Sequence, residues 1–513
     1  MKKHLLIFTI FALTIITACA PIPTPAPIKP MSPAIEEIPP NDWWDDAIFY
    51  EIFVRSFYDT NNDGIGDFNG ITAKLDYLEE LGVNAIWLMP IHPSPSYHGY
   101  DVINYYAVNH EYGTMDDFKN LLDEAHKRDI RIIMDLVLNH TSSQHPFFVD
   151  ANSNPQSPYR NWYIWSENYP GWGGNLWHET NNGYYYALFW GGMPDLNYRN
   201  PEVTAQMEKV ARYWLDDIGI DGFRLDAIKH LIEEAEITEN TLATHEWLED
   251  FYIRYKSENP ETYMVGEVYG AGGSIARTYT GDELDHVFNF ELASGFVNSA
   301  NGGSNTGINS AYHFTLEHMP NGDYATFLTN HDQNRAMSNF YGDVGKAKVA
   351  ASLLLTAPGT PFIYYGEEIG MLGQKPDEDI RLPMRWSGAA HNGFSGTQPW
   401  HTGEAGDLQT NVGAQKDDPD SLLSHYRALI ALRKEYPALR TGETQILDMG
   451  TTALFAALRT EGKEKLLIIV NLTDQTVKDY QLNNDFQLEG IFGDVSNLSE
   501  PIDAYETLIF TLR

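Results

Sequence analysis

The run GFRLDAIKH, Gly222 to His230, gathers Arg224, Asp226, Lys229 and His230 where the apolar segment from Ile218 to Phe223 ends. A buried strand here hands charge to a pocket. The same grammar recurs three times. RIIMDLVLNH, Arg131 to His140, ends at Asp135, Asn139 and His140; YMVGEVY, Tyr263 to Tyr269, presents Glu267; YATFLTNHDQNR, Tyr324 to Arg335, presents His331, Asp332 and Arg335. Apolar runs that each finish in carboxylates and histidines predict a parallel barrel with its active site at the strand C-terminal ends.

Working outward, strands are expected near Ile48–Phe53, Ala85–Met89, Ile130–Val137, Gly222–Leu225, Tyr263–Val268, His286–Phe290, Tyr324–Leu328 and Pro361–Tyr365, which makes eight. Between them, apolar spacings of three and four predict helices over Ile71 to Leu81, Asp116 to Arg128, Pro201 to Asp217 and Ala347 to Thr356. Strand and helix alternating in this way is the barrel's own pattern. After the third strand comes a long stretch, about residues 141 to 198, rich in Trp, Tyr, Asn and Gly; loops of that length are usually functional. From about residue 440 the pattern changes to short β-type runs such as Ala453–Ala457, Leu466–Asn471 and Thr507–Leu512.

A chain of 513 residues has room for two to four domains, at roughly 150 residues each and about 250 for a barrel. The 34 Lys and Arg against 71 Asp and Glu leave a formal charge of −37, which repels a phosphate backbone and argues against nucleic acid as a partner. The acidity keeps the chain soluble and fits a salty habitat or an ordinary acidic secreted protein equally well. Aromatics make up 13% of the chain, including 12 Trp and 30 Tyr. Any one of them is as readily a core or surface filler, but together they favour a carbohydrate ligand, whose C–H faces stack on flat rings.

The N-terminus has Lys2-Lys3, an apolar run from Leu5 to Ile16, then Thr17-Ala18-Cys19. The run is too short to span a membrane comfortably, so residues 1–18 are expected to be an export signal. Ile16-Thr17-Ala18-Cys19 resembles a bacterial lipobox, which implies a lipid on Cys19 and an exported protein anchored at the cell membrane or cell surface, facing out of the cytoplasm. Cys19 is the only cysteine, which excludes an intramolecular disulfide. The proline-rich stretch that completes residues 19–40 is expected to run as an extended tether.

In this order the four signature segments resemble those of the α-amylase superfamily of glycoside hydrolases. GVNAIWLMPI (Gly82 to Ile91), HGYDVINYY (His98 to Tyr106), MPDLN (Met193 to Asn197) and GTPFIYYGEE (Gly359 to Glu368) agree, and the resemblance covers nearly all of the chain after about residue 41. It implies a TIM (β/α)8 barrel in two parts, residues 41–140 and 199–437. A small domain, 141–198, would be inserted after strand 3, and 438–513 would form a C-terminal antiparallel β-sandwich.

Hydrolysing an acetal through an oxocarbenium-like transition state needs one attacking carboxylate and one protonated acid. By resemblance Asp226 is the nucleophile, Glu267 the acid and then the base, and Asp332 the third acid that grips the distorted sugar. Arg224, two residues before Asp226 on the same strand face, would keep that carboxylate ionised. The resemblance makes His140 and His331 hydrogen-bonding partners of the sugar, Tyr100 its stacking platform, Asp101 and Asp135 supporting acids, and Lys229 with His230 the pair on the leaving-group side. Because the family retains configuration, the two working carboxyl groups are expected about 5–5.5 Å apart.

DTNNDGIGD, Asp59 to Asp67, has oxygen ligands at positions one, three, five and nine and glycine at six, like the start of an EF-hand loop, but Gly70 stands where the bidentate Glu would be. Similar loops in related amylases and oligoglucosidases bind one Ca2+. The expected ligands are Asp59, Asn61, Asp63, the Ile65 carbonyl and Asp67, against the alternative of an ion-free Asx-rich turn. A second Ca2+ would be held by Asn139, Asp195 and the His230 carbonyl, with its remaining ligand unplaced; alternatively these groups only hydrogen-bond the two domains together.

The substrates implied are starch and maltooligosaccharides. Ala227 is similar to the small residue of α-1,4-acting members, whereas MPDLN lies between the amylase and oligoglucosidase versions of that segment. Trp162, Trp165, Trp172, Trp177 and Trp190 are candidates for extra subsites or for packing. The alternatives to an endo-acting α-amylase are a maltogenic or transglycosylating α-glucan enzyme, of the cyclomaltodextrinase or 4-α-glucanotransferase kind, and a non-catalytic glycan-binding lipoprotein.

Overall fold

The structure, a computed structural model, describes residues 42–270, 272–319, 322–403, 408–481, 487–493 and 500–512. The expected export signal, the tether and the lipidation site Cys19 lie outside the described residues. Numbering all strands along the chain, the barrel consists of β1 (Phe49–Ile52), β2 (Ala85–Leu88), β3 (Arg131–Leu136), β7 (Gly222–Leu225), β8 (Tyr263–Gly266), β9 (His286–Phe288), β10 (Tyr324–Thr326) and β11 (Thr360–Tyr364). These strands pair in parallel in that order, and β11 closes on β1 through Phe49 opposite Phe362.

Alternate side chains of each strand go to different cores, as a period of two requires. Tyr50, Ile52, Ile86, Leu88, Ile132 and Met134 pack outward under the helices. Phe49, Ala85, Trp87, Ile133, Tyr263, Val265 and Phe362 fill the barrel, where Phe49 stacks on Phe362 at 4.3 Å. Strand β9 stops two residues short of its predicted end because Asn289 turns to cap the next helix, Phe290–Gly302, accepting from Leu292 N. The expected helix from Ile71 divides into Phe68–Thr72, capped by Asp67, and Leu75–Leu81. The expected helix from Pro201 runs regularly only to Arg212 and continues as a π-turn over Tyr213–Ile218.

The chain leaves the barrel at His140 and returns at Asp195, which form an isolated antiparallel bridge. Between them lie the helix Pro146–Ser153 and a small antiparallel sheet of β4 (Trp165–Ser166), β5 (Trp177–Thr180) and β6 (Gly183–Tyr186) in the order β4-β6-β5. At the C-terminus, β12 (Glu443–Ile446), β13 (Leu454–Glu461), β14 (Glu464–Asn471), β15 (Leu488–Phe492) and β16 (Thr507–Leu512) make an antiparallel sheet ordered β12-β13-β14-β16-β15. Both faces are covered. Phe455, Leu466, Ile468 and Ile509 join the main core, while Leu454, Leu467, Ile469 and Leu508 pack with Val477 and Ile502, a bridged pair on the other side. No helix among the described residues is long and apolar enough to cross a membrane.

Candidate active site

The inward parity of the barrel strands carries the charged residues to one mouth. Ile133 is followed two residues later by Asp135, Gly222 by Arg224 and Asp226, Val265 by Glu267, and Phe49 by Glu51. Arg224 is the hub. It is 1% exposed, and its Nη1 donates to Asp226 Oδ1 at 2.5 Å and Asp135 Oδ1 at 2.9 Å while Nη2 donates to Glu267 Oε2 at 2.8 Å. A single guanidinium therefore spans both predicted working carboxylates. Immediately after Asp226 the backbone turns left-handed at Ala227, with φ 50° and ψ 36°, and the Ala227 amide donates to Glu267 Oε2 at 3.3 Å.

Asp332 comes from the loop after β10 and accepts from Arg381 Nη2 at 2.8 Å. His331 is fully buried. Its Nδ1 pairs with Glu51 Oε1 at 2.5 Å and its Nε2 with the Tyr100 hydroxyl at 2.6 Å, so both ring nitrogens are engaged within the protein. The Tyr100 ring stacks on His331 with 5.6 Å between centroids, and its hydroxyl lies 3.2 Å from Asp135 Oδ2. His140 Nε2 donates to the Tyr100 carbonyl at 3.2 Å. Asp101 is turned away to the hydroxyls of Ser94 and Ser96.

These groups have different proton affinities. Burial pushes Glu267 above the ordinary glutamate value; the negative charges of Asp226 and Asp332 add to the rise, and Arg224 opposes it. Burial likewise raises Asp135 against the pull of Arg224. Asp332 goes the other way: withdrawal from water would raise it, but His331, Arg381 and Arg224 outweigh that and hold it at about 2. Burial lowers His140 and His230. For His331, burial is overcome by the charges of Asp332 and Glu51, which raise it.

Asp226, Glu267 and Asp332 border one open cavity of about 560 Å3 together with Tyr100, His140, Lys229, His230 and Arg381. Its rim holds exposed rings from the insertion, Phe189 and Trp190, and Tyr269 beyond Glu267. Lys229 pairs with Glu239 at 2.5 Å and His230 Nδ1 with the Thr238 carbonyl at 2.7 Å. Of the insertion tryptophans named from the sequence, Trp190 alone borders this cavity; Trp162 borders a more apolar one beside Tyr105 and Phe147, and Trp165, Trp172 and Trp177 border a third. Glu51 and Arg381 were missed from the sequence. Glu51 obeys the same rule as Asp135, an acid on the inward row of a buried strand. Arg381 caps the end of the short helix Asp377–Ile380 and carries no such signal.

Among the described residues no cluster of three or more His, Cys, Asp or Glu side chains forms a metal cage. In the 59–67 loop the oxygens turn onto the loop itself: Asp59 accepts from the amides of Asn62 and Gly64, Asn61 from Asp63, Asp63 from Ile65, and Asp67 from Thr60 and Gly70. The donors are nevertheless all hard oxygens, and Asp59 and Asp67 are buried, bonded only to amides and hydroxyls. That combination fits a divalent oxygen-seeking cation. Gly70 departs from the EF-hand pattern because a Cβ there would fall 1.9 Å from the Tyr58 carbonyl oxygen. At the second position, Asn139 Nδ2 donates to Asp195 Oδ2 at 3.0 Å while Asn139 Oδ1 is buried without a partner. Burial and the neighbouring Glu233 push Asp195 well up. An orphaned oxygen beside two crowded carboxylates also fits a cation.

Comparison with known proteins gives a consistent answer. Residues 51–442 match the model of the alpha amylase catalytic domain. The chain is 42% identical to "Alpha-amylase 3" of Dictyoglomus thermophilum, over 88% of this chain and 89% of that protein. It is 34% identical to an oligo-1,6-glucosidase of Parageobacillus thermoglucosidasius, over 85% and 91%. The crystal structure of an alpha-amylase from H. orenii superposes with a TM-score of 0.82 at 40% identity, covering 91% of this chain and 99% of that one.

Proposed function

The chain belongs to the α-amylase family of glycoside hydrolases, and from that membership we propose that it cleaves internal α-1,4-glucosidic bonds of starch and maltooligosaccharides with retention of configuration. The observation that carries the reading is Arg224 joined to Asp226 and Glu267 through separate nitrogens, with Asp332 bordering the same open cavity.

Glu267, its proton affinity raised by burial and by its acidic neighbours, gives its proton to the glycosidic oxygen as that bond breaks. Asp226, hydrogen-bonded to Arg224, attacks the anomeric carbon from the other face and forms the glycosyl-enzyme bond. Glu267, now a carboxylate, takes a proton from water as the oxygen attacks, which frees Asp226 and restores the acid. Asp332, ionised by Arg381 and His331, accepts hydrogen bonds from the distorted sugar. The small Ala227 and the exposed Phe189, Trp190 and Tyr269 support a substrate extending past the cleavage point.

We also propose Ca2+ in the 59–67 loop through Asp59, Asn61, Asp63, the Ile65 carbonyl and Asp67, and a second ion at Asn139, Asp195 and the His230 carbonyl. The ions would supply structure and no step of the reaction. Export, with a lipid on Cys19 holding the enzyme outside the cytoplasm, completes the proposal.

The likeness to an oligo-1,6-glucosidase favours a second reading, an exo-acting enzyme on short α-1,6-linked chains. The time course of products from soluble starch, maltotriose and isomaltotriose decides between them. An early ladder of α-configured maltooligosaccharides is expected. Glucose alone, released fastest from isomaltotriose, overturns the endo α-1,4 reading, and products longer than the substrate point to transglycosylation.

A further inference from the structure

Glu51 stands on the inward row of β1, yet neither it nor His331 borders the catalytic cavity, and their side chains are 2% and 0% exposed. The Tyr365 amide donates to the Glu51 carbonyl at 3.0 Å, which fixes the residue against the end of β11. From there the carboxylate reaches His331, with Oε1 2.5 Å from Nδ1. A carboxylate this deeply buried is strongly unfavourable without a cation beside it. Trp87, edge to face at 5.5 Å, and Tyr100, stacked at 5.6 Å, hold the plane of the imidazole.

The other ring nitrogen faces the site. Nε2 lies 2.6 Å from the Tyr100 hydroxyl and 3.4 Å from Asp332 Oδ2. Tyr100 has one hydroxyl proton, which it donates to Asp135 Oδ2 at 3.2 Å, and its oxygen is left to accept from Nε2. The ring thus has an acceptor at each end, and a neutral imidazole carries a single N–H. The doubly protonated ring satisfies Glu51 on one side and Tyr100 with Asp332 on the other. Burial alone would lower the proton affinity of His331, but the charges of Asp332 and Glu51 outweigh it, against the opposing charge of Arg381. Asp135 on β3 and Glu267 at the end of β8 lie within reach of the His331 charge, and Tyr364 on β11 and Glu367 in the turn after it within reach of Glu51.

We infer that Glu51 is a positioning residue for the hydrolysis: from behind the site it keeps both His331 nitrogens as donors, so that Nε2 holds the Tyr100 ring and Asp332 where the distorted sugar needs them. The inference rests on the catalytic reading above, in which Tyr100 is the platform and Asp332 the third acid. Arg381 works on the same pair from the opposite side, its Nη2 donating to Asp332 Oδ1 at 2.8 Å and its Nε to the His331 carbonyl at 3.0 Å. A carboxylate that merely filled the barrel would be replaceable by its amide. Glutamine keeps the shape and can accept from Nδ1–H, but it has no charge to hold the second proton on the ring.

Glu51→Gln tests this on whichever of soluble starch, maltotriose and isomaltotriose the wild type cleaves. Turnover should fall about ten- to hundredfold while KM stays within about threefold of wild type, because the lost interaction belongs to the transition state. His331 then gives up its second proton at lower pH, so the alkaline limb of kcat/KM should move to lower pH. Loss of the His331 charge acting through Glu267 alone would move that limb up, since His331 lowers Glu267. Glu51→Asp, which keeps the charge on a shorter arm, should bring the limb back. A limb that stays put, moves up or responds alike to both variants overturns the inference. The wild type supplies a check that needs neither substrate nor a Glu51 variant. Nitrogen NMR of histidine-labelled enzyme, with His331 identified as the signal missing from His331→Asn, should show both ring nitrogens protonated at neutral pH; the signature of a neutral ring also overturns the inference. A wild type that cleaves none of the three substrates fails the glucan reading instead, and the NMR result still decides the role of Glu51 at His331.

Discussion

Glu267 shares Arg224 with Asp226, and its burial and its acidic neighbours raise its proton affinity above the ordinary glutamate value. The sign of its pH dependence follows. A general acid works only while protonated, so activity is lost as pH rises through its raised value, and the alkaline limb of kcat/KM lies above the ordinary glutamate range. Asp332→Asn removes one of the charges that raise Glu267, so the residual activity of that variant should show its alkaline limb moved to lower pH; a limb that stays put refutes the coupling. Ala227 offers a second check. Its left-handed φ of 50° is costly for a β-branched side chain, by about 1–2 kcal/mol or more. Ala227→Val should therefore lower both Tm and turnover of α-1,4 substrates, whereas Ala227→Gly should not lower Tm; equal melting of the two variants would contradict a strained turn. Asp226, Glu267 and Asp332, which border the barrel-mouth cavity, could be picked out in the sequence because each ends an apolar run. Arg381 could not, since nothing in the residues around it says that its segment folds back over Asp332.

The 59–67 loop illustrates what an element does beyond its residues. It is stapled to the segment 394–400: Asp59 N donates to the Phe394 carbonyl, Ser395 Oγ to Asp59 Oδ2, and Trp400 N to the Gly64 carbonyl. Trp400 stacks on Tyr97 at 5.4 Å, and the Arg381 guanidinium lies 5.9 Å over Tyr97. A cation in the loop would thus steady the arginine that ionises Asp332. Chelation should lower Tm by several degrees and reduce kcat, both restored by Ca2+, and Asp63→Asn should melt early and respond less to chelator; a chelator-insensitive Tm refutes the loop site. Gly64 belongs to the same device, with φ 92° and the Gln398 carbonyl oxygen 2.3 Å from where a Cβ would sit. The eight barrel strands could be read from their apolar runs. The break after Thr72 and the π-turn at Tyr213 could not, because apolar spacing continues through both.

For the molecule as a whole, two buried arginines bond to backbone carbonyls near the joint between barrel and C-terminal sheet, and Arg459, on β13, reaches across it to the helix Val344–Thr356. Arg433 donates to Leu355, Ala357, Leu439 and Gly359, and Arg459 to Thr356 and Gly442. Arg459→Ala leaves those carbonyls unmet and should cost on the order of 3 kcal/mol. Loss of activity and unfolding of the C-terminal sheet should move down in temperature together; an active barrel persisting after the sheet has melted would show that the two are independent. By itself the sequence determined the barrel, the order of its strands, the family resemblance and the residues that carry charge, because strand parity and run ends are local properties. Only the tertiary structure decided that one guanidinium spans Asp226 and Glu267, that Glu51 and Arg381 belong to the site, and that the insertion's tryptophans divide among three cavities. Those are contacts between residues tens to hundreds of positions apart, and their geometry exists only once the barrel has closed.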